Sequence, residues 1–197
     1  WDMNILNWIT NLDLAINHWI QENLRNDFLT RFFTFITSLS NYGWFWILLI
    51  IVLLINKKTR KVGIIAFVSF CACALVVNVF MKPLFMRTRP YDLVDFLIYI
   101  GHKPWDYSFP SGHTSAAFSV ALICFWQLDK KYSWIFVLIA TLIGFSRLYL
   151  GVHYPSDVLG GFLIALIISY IVNKKGSEYY GRNRNWFRNN EQSLCNV

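Results

Sequence analysis

The sequence predicts an all-α protein: a polytopic transmembrane helix bundle of about five spanning helices, with an amphipathic helix at its N-terminal end. Three observations predict it. Of 197 residues, 56% are hydrophobic and 15% charged, against about 25% charged in an ordinary soluble domain. The apolar residues gather in long runs rather than scattering. The basic residues outside those runs fall in alternate connections, as alternating spans require.

Trp1-Asp2 precedes Met3 and reads as an expression remnant. The next residues lack a basic region and an unbroken apolar stretch, so no cleavable signal peptide is expected. Over residues 3–26, Ile5, Leu6, Ile9, Leu12, Ile16, Trp19, Ile20 and Leu24 recur at three- and four-residue spacing. Asn4, Asn7, Asn11, Asp13, Asn17 and Gln21 fill the other face. This pattern predicts an amphipathic helix. Two placements suit it equally: in the plane of the membrane interface, or packed on the outer ends of the bundle.

A spanning helix needs about 20 apolar residues. Five runs come near that: Phe32–Ile55, Val62–Phe80, Thr114–Leu128, Trp134–Leu150 and Val158–Val172. The third and fifth are short by apolar count, so their polar ends are expected to continue the helix. The core is therefore expected over residues 27–173, with a basic tail over 174–197.

Charge orients the bundle, because loops rich in Lys and Arg stay cytoplasmic. The first connection holds Lys57, Lys58, Arg60 and Lys61 with no acid, the third holds Asp129, Lys130 and Lys131, and the tail is net basic. On the other side, Arg87, Arg89 and Lys103 balance Asp92, Asp95 and Asp106. The C-terminus is expected in the cytoplasm and the neutral loop outside. The tail segment Arg182-Asn-Arg184-Asn-Trp186-Phe187-Arg188 reads as an anchor on anionic lipid or as a disordered end; nucleic acid is not expected as a partner. Cys71, Cys73 and Cys124 lie in apolar runs and are expected as small buried hydrophobes. Cys195 is expected as a free thiol in the tail, and the four do not make a zinc set.

The polar residues left at membrane ends are Lys82, Arg89, Ser111, His113, Ser146, Arg147, His153 and Asp157. Ionisable groups at membrane depth are costly and mark function, and the topology brings all of these to one end. Lys82 and Arg89 are seven residues apart, so on one helix they would share a face, although Pro83 and Pro90 loosen it. Three cations (Lys82, Arg89, Arg147) in one small volume require an anion, and guanidinium forks suit phosphate oxygens. Ser111 suits an N-cap, Gly112 admits a close backbone approach, and the helix start presents N–H groups to an anion.

Asp157 can hold one nitrogen of His153 and leave the other free to attack. His113 can then protonate the leaving oxygen. The cations stabilise the charge of the transferring group, so neither a metal nor a cofactor is called for.

Lys82-Pro-Leu-Phe-Met-Arg-Thr-Arg89-Pro90, Pro110-Ser111-Gly112-His113 and Ser146-Arg147-Leu-Tyr-Leu-Gly-Val-His153-Tyr-Pro-Ser-Asp157 resemble the three signature motifs of the type 2 phosphatidic acid phosphatase family. The resemblance spans residues 82–157. It implies an integral membrane phosphatase with a six-helix core, here with the amphipathic start in place of a first span. It implies His153 as nucleophile, Asp157 as its orienting partner and His113 as general acid. Lys82, Arg89, Ser111, Gly112 and Arg147 would bind phosphate, and Ser146 would have a structural or phosphate-contacting role. Water would then hydrolyse the phosphohistidine.

The implied substrates are phosphorylated lipids of the outer leaflet: phosphatidic acid, phosphatidylglycerol phosphate or undecaprenyl diphosphate. The alternative is a non-enzymatic lipid-phosphate binder or transporter, against which stand the missing internal repeat and the intact His113, His153 and Asp157. A vanadate-dependent haloperoxidase would share the site, but those enzymes are soluble. His18 and His102 lie outside the motifs and are expected at the surface or interface. The loop Tyr91–Tyr107, with Asp92, Asp95, Trp105 and Asp106, either shapes headgroup choice or serves as ordinary aromatic anchoring.

Overall fold

A computed structural model describes residues 3–101 and 103–194, with side chains over 7–101 and 103–180. It is all-helical, and among the described residues there is no strand. Helix α1 (Met3–Leu24) leads into α2 (Asp27–Ser38), whose first turn is capped by Asn26 accepting from the Leu29 N–H at 2.9 Å. A tight turn follows, with Tyr42 at φ 53° and Gly43 at φ 72°. Helix α3 (Trp44–Ile55) then leaves at 45° to α2. The first apolar run is thus a broken helix. Two successive left-handed residues cannot continue a right-handed one, and apolar count does not register them.

Helix α4 (Arg60–Ala74) widens into π-type hydrogen bonding over Leu75–Met81 before α5 (Lys82–Phe85). It stops at Met86, at φ 44°. After the one-turn α6 (Pro90–Leu93) comes an irregular loop to Ser111, the N-cap of α7 (Gly112–Gln127). Asp129 caps α8 (Lys130–Tyr149) by accepting from the Lys131 N–H, and α9 begins at Pro155 and runs unbroken to Leu194. The tail boundary expected at residue 174 leaves no mark on the backbone.

Among the described residues three stretches are long and apolar enough to cross a membrane (Arg60–Leu93, Lys130–Tyr149 and Pro155–Tyr180), and the bent α2–α3 pair would make four. At 16 residues, or about 24 Å, α7 is shorter than the hydrocarbon core of a bilayer. It is the central helix, packed by α4, α8 and α9. Ala117, Val120, Ala121, Ile123 and Cys124 on it are completely buried. Small side chains let the helices close on one another, as in other membrane bundles. Ser69 Oγ donates to the Ser119 carbonyl at 2.9 Å and meets Ser169 Oγ at 2.9 Å, which joins α4, α7 and α9. Outward positions such as Ile51, Phe67, Leu163 and Ile167 are exposed apolar side chains, the surface that lipid covers. Cys71 is among the exposed residues, contrary to expectation, whereas Cys73 and Cys124 are buried; Cys195 and His102 lie outside the described residues. His18 is exposed, edge-on to Phe96.

Helix α1 packs across the ends of α8 and α9, and it does so largely with its polar face. Asp13 and Asn17 are buried, while Trp8, Leu12 and Trp19 are exposed. The surface beneath it is largely loop backbone and charge, with Ile20 and Leu24 packing on Phe33, Tyr149 and Leu150 toward its C-terminal end. Gln21 donates to the Phe96 carbonyl at 2.8 Å and accepts from the Ile98 N–H at 2.9 Å.

Candidate active site

Four helix ends meet at one end of the bundle. Lys82 ends the π-type segment, Ser111 begins α7, Arg147 lies in the last turn of α8, and Asp157 lies in the first turn of α9. Pro155 suits the first helical position. Asp157 Oδ2 reaches back to accept from the Tyr154 N–H at 2.9 Å, the return bond of a capping box. Glycine brings α9 up to the α7 start. A Cβ at Gly161 would come within 2.6 Å of the Ser111 carbonyl oxygen, and one at Gly160 within 2.5 Å of the Phe109 ring. The Ser111 N–H donates to the Asp157 carbonyl at 3.0 Å.

His153 is 1% exposed and Asp157 fully buried. His153 Nδ1 lies 3.2 Å from Asp157 Oδ2. An ionised carboxylate only accepts, so the ring proton sits on Nδ1 and Nε2 carries the lone pair. Nε2 is 3.4 Å from Arg89 Nη1. Burial pushes the His153 pKa down, Arg89 adds to this, and the Asp157 hydrogen bond only partly opposes them; it falls to about 3. The imidazole is therefore neutral, the form that carries a nucleophilic lone pair.

The expectation that Lys82 and Arg89 share one helix face is not met. The helix ends at Phe85, and Arg89 is extended (φ −76°, ψ 154°), the conformation that Pro90 imposes on its predecessor. The two cations converge instead on Asp106, which ion-pairs with Lys82 and accepts from Arg89 Nη2 at 2.6 Å. The loop thus supplies an anion to two of the three cations. Burial pushes the Asp106 pKa up, but Lys82 and Arg89 outweigh it and hold it down at about 2.

Arg147 is buried and donates to Thr37 Oγ1 at 2.6 Å, while its Nε has no hydrogen-bond partner among the described residues. Ser111 Oγ accepts from Thr114 Oγ1 at 2.9 Å. The first intrahelical donor of α7 is Ser115, bonded to the Ser111 carbonyl at 3.0 Å. The N–H groups of Gly112 and His113 thus precede the helix ladder. A Cβ on Gly112 would lie 3.6 Å from Lys82 Nζ, so glycine keeps that side of the cation open. His113 Nε2 pairs with Asn41 Oδ1 at 3.1 Å, which makes Nε2 its protonated nitrogen. Ser146 turns away: its hydroxyl donates to the Ile143 carbonyl of its own helix at 2.6 Å. A cleft of about 560 Å³, lined by Thr37, Asn41, Tyr42, Asp106, His113 and Arg147 among others, opens over the group.

Sequence reasoning missed several residues that complete the site. Ser108 donates to Asp157 Oδ2 at 2.5 Å, and Arg87 Nη1 donates to Asp157 Oδ1 at 2.8 Å. Thr37 and Asn41 are the others, and Asp106, singled out only as part of the loop, proves to pair with the phosphate-binding cations. The only signal for Arg87 and Ser108 was their place two residues before Arg89 and Pro110.

The profile of the PAP2 superfamily matches residues 62–178, a stretch that contains every one of these motif residues. The chain belongs to the PAP2 superfamily. Among its PAP2 relatives is an undecaprenyl-diphosphatase of Sulfolobus acidocaldarius, 38% identical over 136 residues, which are 68% of this chain and 65% of that protein. The undecaprenyl-diphosphatase BcrC of Bacillus subtilis is 34% identical over 146 residues, 74% of each chain. The crystal structure of a transmembrane PAP2 type phosphatidylglycerolphosphate phosphatase from Bacillus subtilis superposes with a TM-score of 0.73 at 28% identity, over 87% of this chain and 88% of that one. The family read from the motifs is borne out, and with it the class of PAP2 membrane phosphatase acting on lipid phosphates.

Proposed function

We propose that this PAP2 protein hydrolyses phosphate monoesters or diphosphates of lipids at the extracytoplasmic membrane face, through a phosphohistidine on His153. The observation that carries this reading is the His153 ring. Its Nδ1 is held by a buried carboxylate at 3.2 Å, and its Nε2 is aimed at Arg89 at 3.4 Å.

The substrate phosphate displaces the Asp106 carboxylate and takes Lys82, Arg89 and Arg147, together with the N–H groups at the α7 start. His153 Nε2 attacks phosphorus and the bond to the leaving oxygen breaks. His113, doubly protonated beside the bound phosphate, gives that oxygen its Nε2 proton and is left a neutral imidazole. Asp157 stabilises the imidazolium formed. His113, now neutral, takes a proton from water as the water attacks the phosphohistidine; phosphate leaves and His153 is restored. The side-chain cations carry the charge stabilisation, so no step is assigned to a metal or a cofactor.

The site lies at the end of the bundle opposite the basic connections at Lys57–Lys61 and Lys130–Lys131. That arrangement supports five spans with α7 the third of them in chain order, a cytoplasmic C-terminus and an outward-facing site. The apolar outer face of α1, with Trp8 and Trp19, suits a helix lying in the interface. Tyr42 and Trp105 line the cleft and are fully exposed, which suits a mouth at headgroup level.

The test is phosphate release by the purified protein from undecaprenyl diphosphate, phosphatidic acid and phosphatidylglycerol phosphate side by side. Release from one or more of them, lost in His153→Ala, is expected. A folded protein that binds these lipids and releases no phosphate would contradict the reading and favour a lipid-phosphate binder.

A further inference from the structure

Asp13 lies on α1, outside residues 62–178 that match the family, and no motif assigns it a role. It is 3% exposed. Its Oδ2 accepts from Arg87 Nη2 at 2.8 Å and from the Ser156 hydroxyl, and its Oδ1 accepts from the Ser156 N–H at 3.0 Å. Arg87 turns its other nitrogen, Nη1, to Asp157 Oδ1 at 2.8 Å and to Ser156 Oγ at 2.6 Å. Its guanidinium stacks on the Tyr154 ring at 3.9 Å. One turn further along α1, Asn17 Nδ2 donates to the His153 carbonyl at 3.1 Å. The polar face of α1 therefore grips both ends of the His153–Asp157 pair.

We propose that Asp13 is a positioning residue for the phosphatase reaction, acting through Arg87 on Asp157 and so on His153. The assignment rests on the reading of His153 as nucleophile. Asp157 must keep enough negative charge to stabilise the imidazolium that forms when His153 attacks. A lone Arg87 cation on Oδ1 would draw that charge away. Asp13 takes the other half of the guanidinium fork and offsets its charge. It also ties down the first turn of α9, which carries Asp157, by bonds to both the backbone and the side chain of Ser156. The chain of contacts is Asp13, Arg87, Asp157, His153, and each link is a charged or hydrogen-bonded pair in a poorly solvated setting, where such networks are strongly coupled.

The test is a double-mutant cycle of Asp13→Asn and Arg87→Gln, assayed on a short-chain phosphatidic acid in detergent, with His153→Ala as a separate arm. Asp13→Asn is expected to lower kcat about tenfold while KM stays within about twofold, and to cost little more in the Arg87→Gln background. Trp8→Ala, on the outer face of the same helix, is expected to keep full activity. If Asp13→Asn does not fold, Asp13→Glu carries the test: the displaced carboxylate is expected to lower kcat with KM held. Unchanged kcat in a folded Asp13 variant would overturn the proposal, as would losses that multiply in the double variant. Activity persisting in His153→Ala would instead overturn the nucleophile assignment on which the proposal rests.

Discussion

Arg89 donates through Nη2 to Asp106 Oδ1 at 2.6 Å and through Nε to the Asp106 carbonyl at 2.9 Å. The same carboxylate pairs with Lys82. Asp106 thus sits on the two cations that the motifs assign to phosphate, and any phosphate that binds them competes with it. Asp106→Asn should tighten binding. The Asp106 side chain is half exposed, so screening reduces the effect to roughly 1 kcal/mol, about fivefold in the inhibition constant of inorganic phosphate or vanadate. The carboxyl is held down at about 2. It therefore stays ionised above that value, and the gain should be the same at pH about 5 and about 8. Inhibition constants across that range check both points.

His113 is read as the proton donor to the leaving oxygen, with its Nε2 proton turned to Asn41. His113→Gln should then slow turnover in proportion to the basicity of the leaving group. An alkyl phosphate should lose on the order of 10²–10⁴ in kcat, and a nitrophenyl phosphate far less. Equal losses on the two substrates would remove His113 from that role.

The close approach of α9 to the Ser111 turn depends on Gly161, where a Cβ would stand 2.6 Å from the Ser111 carbonyl oxygen. Backbone cannot yield as a side chain tip does. Gly161→Ala should cost about 1–3 kcal/mol, read as a lowered melting temperature in detergent. Activity should fall with it, since the same turn presents Gly112 and His113.

Chelation should leave turnover unchanged. Lys82, Arg89 and Arg147 are already in place to meet the phosphate charge, so steady-state rates with and without EDTA should agree. Loss on chelation, restored by a divalent cation, would require a metal in the reaction.

What sequence reveals here depends on the range of the interaction. The periodicity and runs that make α3, α4, α8 and α9 are local, and so are the motif spacings that place Ser111, His113, His153 and Asp157 at helix starts. The break between α2 and α3 was hidden because it rests on two backbone angles, at Tyr42 and Gly43, inside an apolar run. The loosening at Pro83 and Pro90 was legible, but not how far it goes: Arg89 leaves the helix altogether and turns back to Asp106. Asp106, Thr37 and Asp13 meet their partners across 17 to 110 residues of chain. Asp13 carried a misleading local signal as well: it marks a polar face, which reads as the wet side of an amphipathic helix and is in fact its docking side.

The central claim is a covalent phosphohistidine on His153. Its most direct test is rapid quench of the purified protein with a substrate carrying labelled phosphorus, followed by separation of the protein and chemical typing of the label. The account predicts a protein-bound phosphate, stable in alkali and labile in acid, that maps to His153. It should vanish in His153→Ala and accumulate when the hydrolysis step is slowed. Turnover with no bound label at any quench time, or a label that persists in His153→Ala, would contradict it.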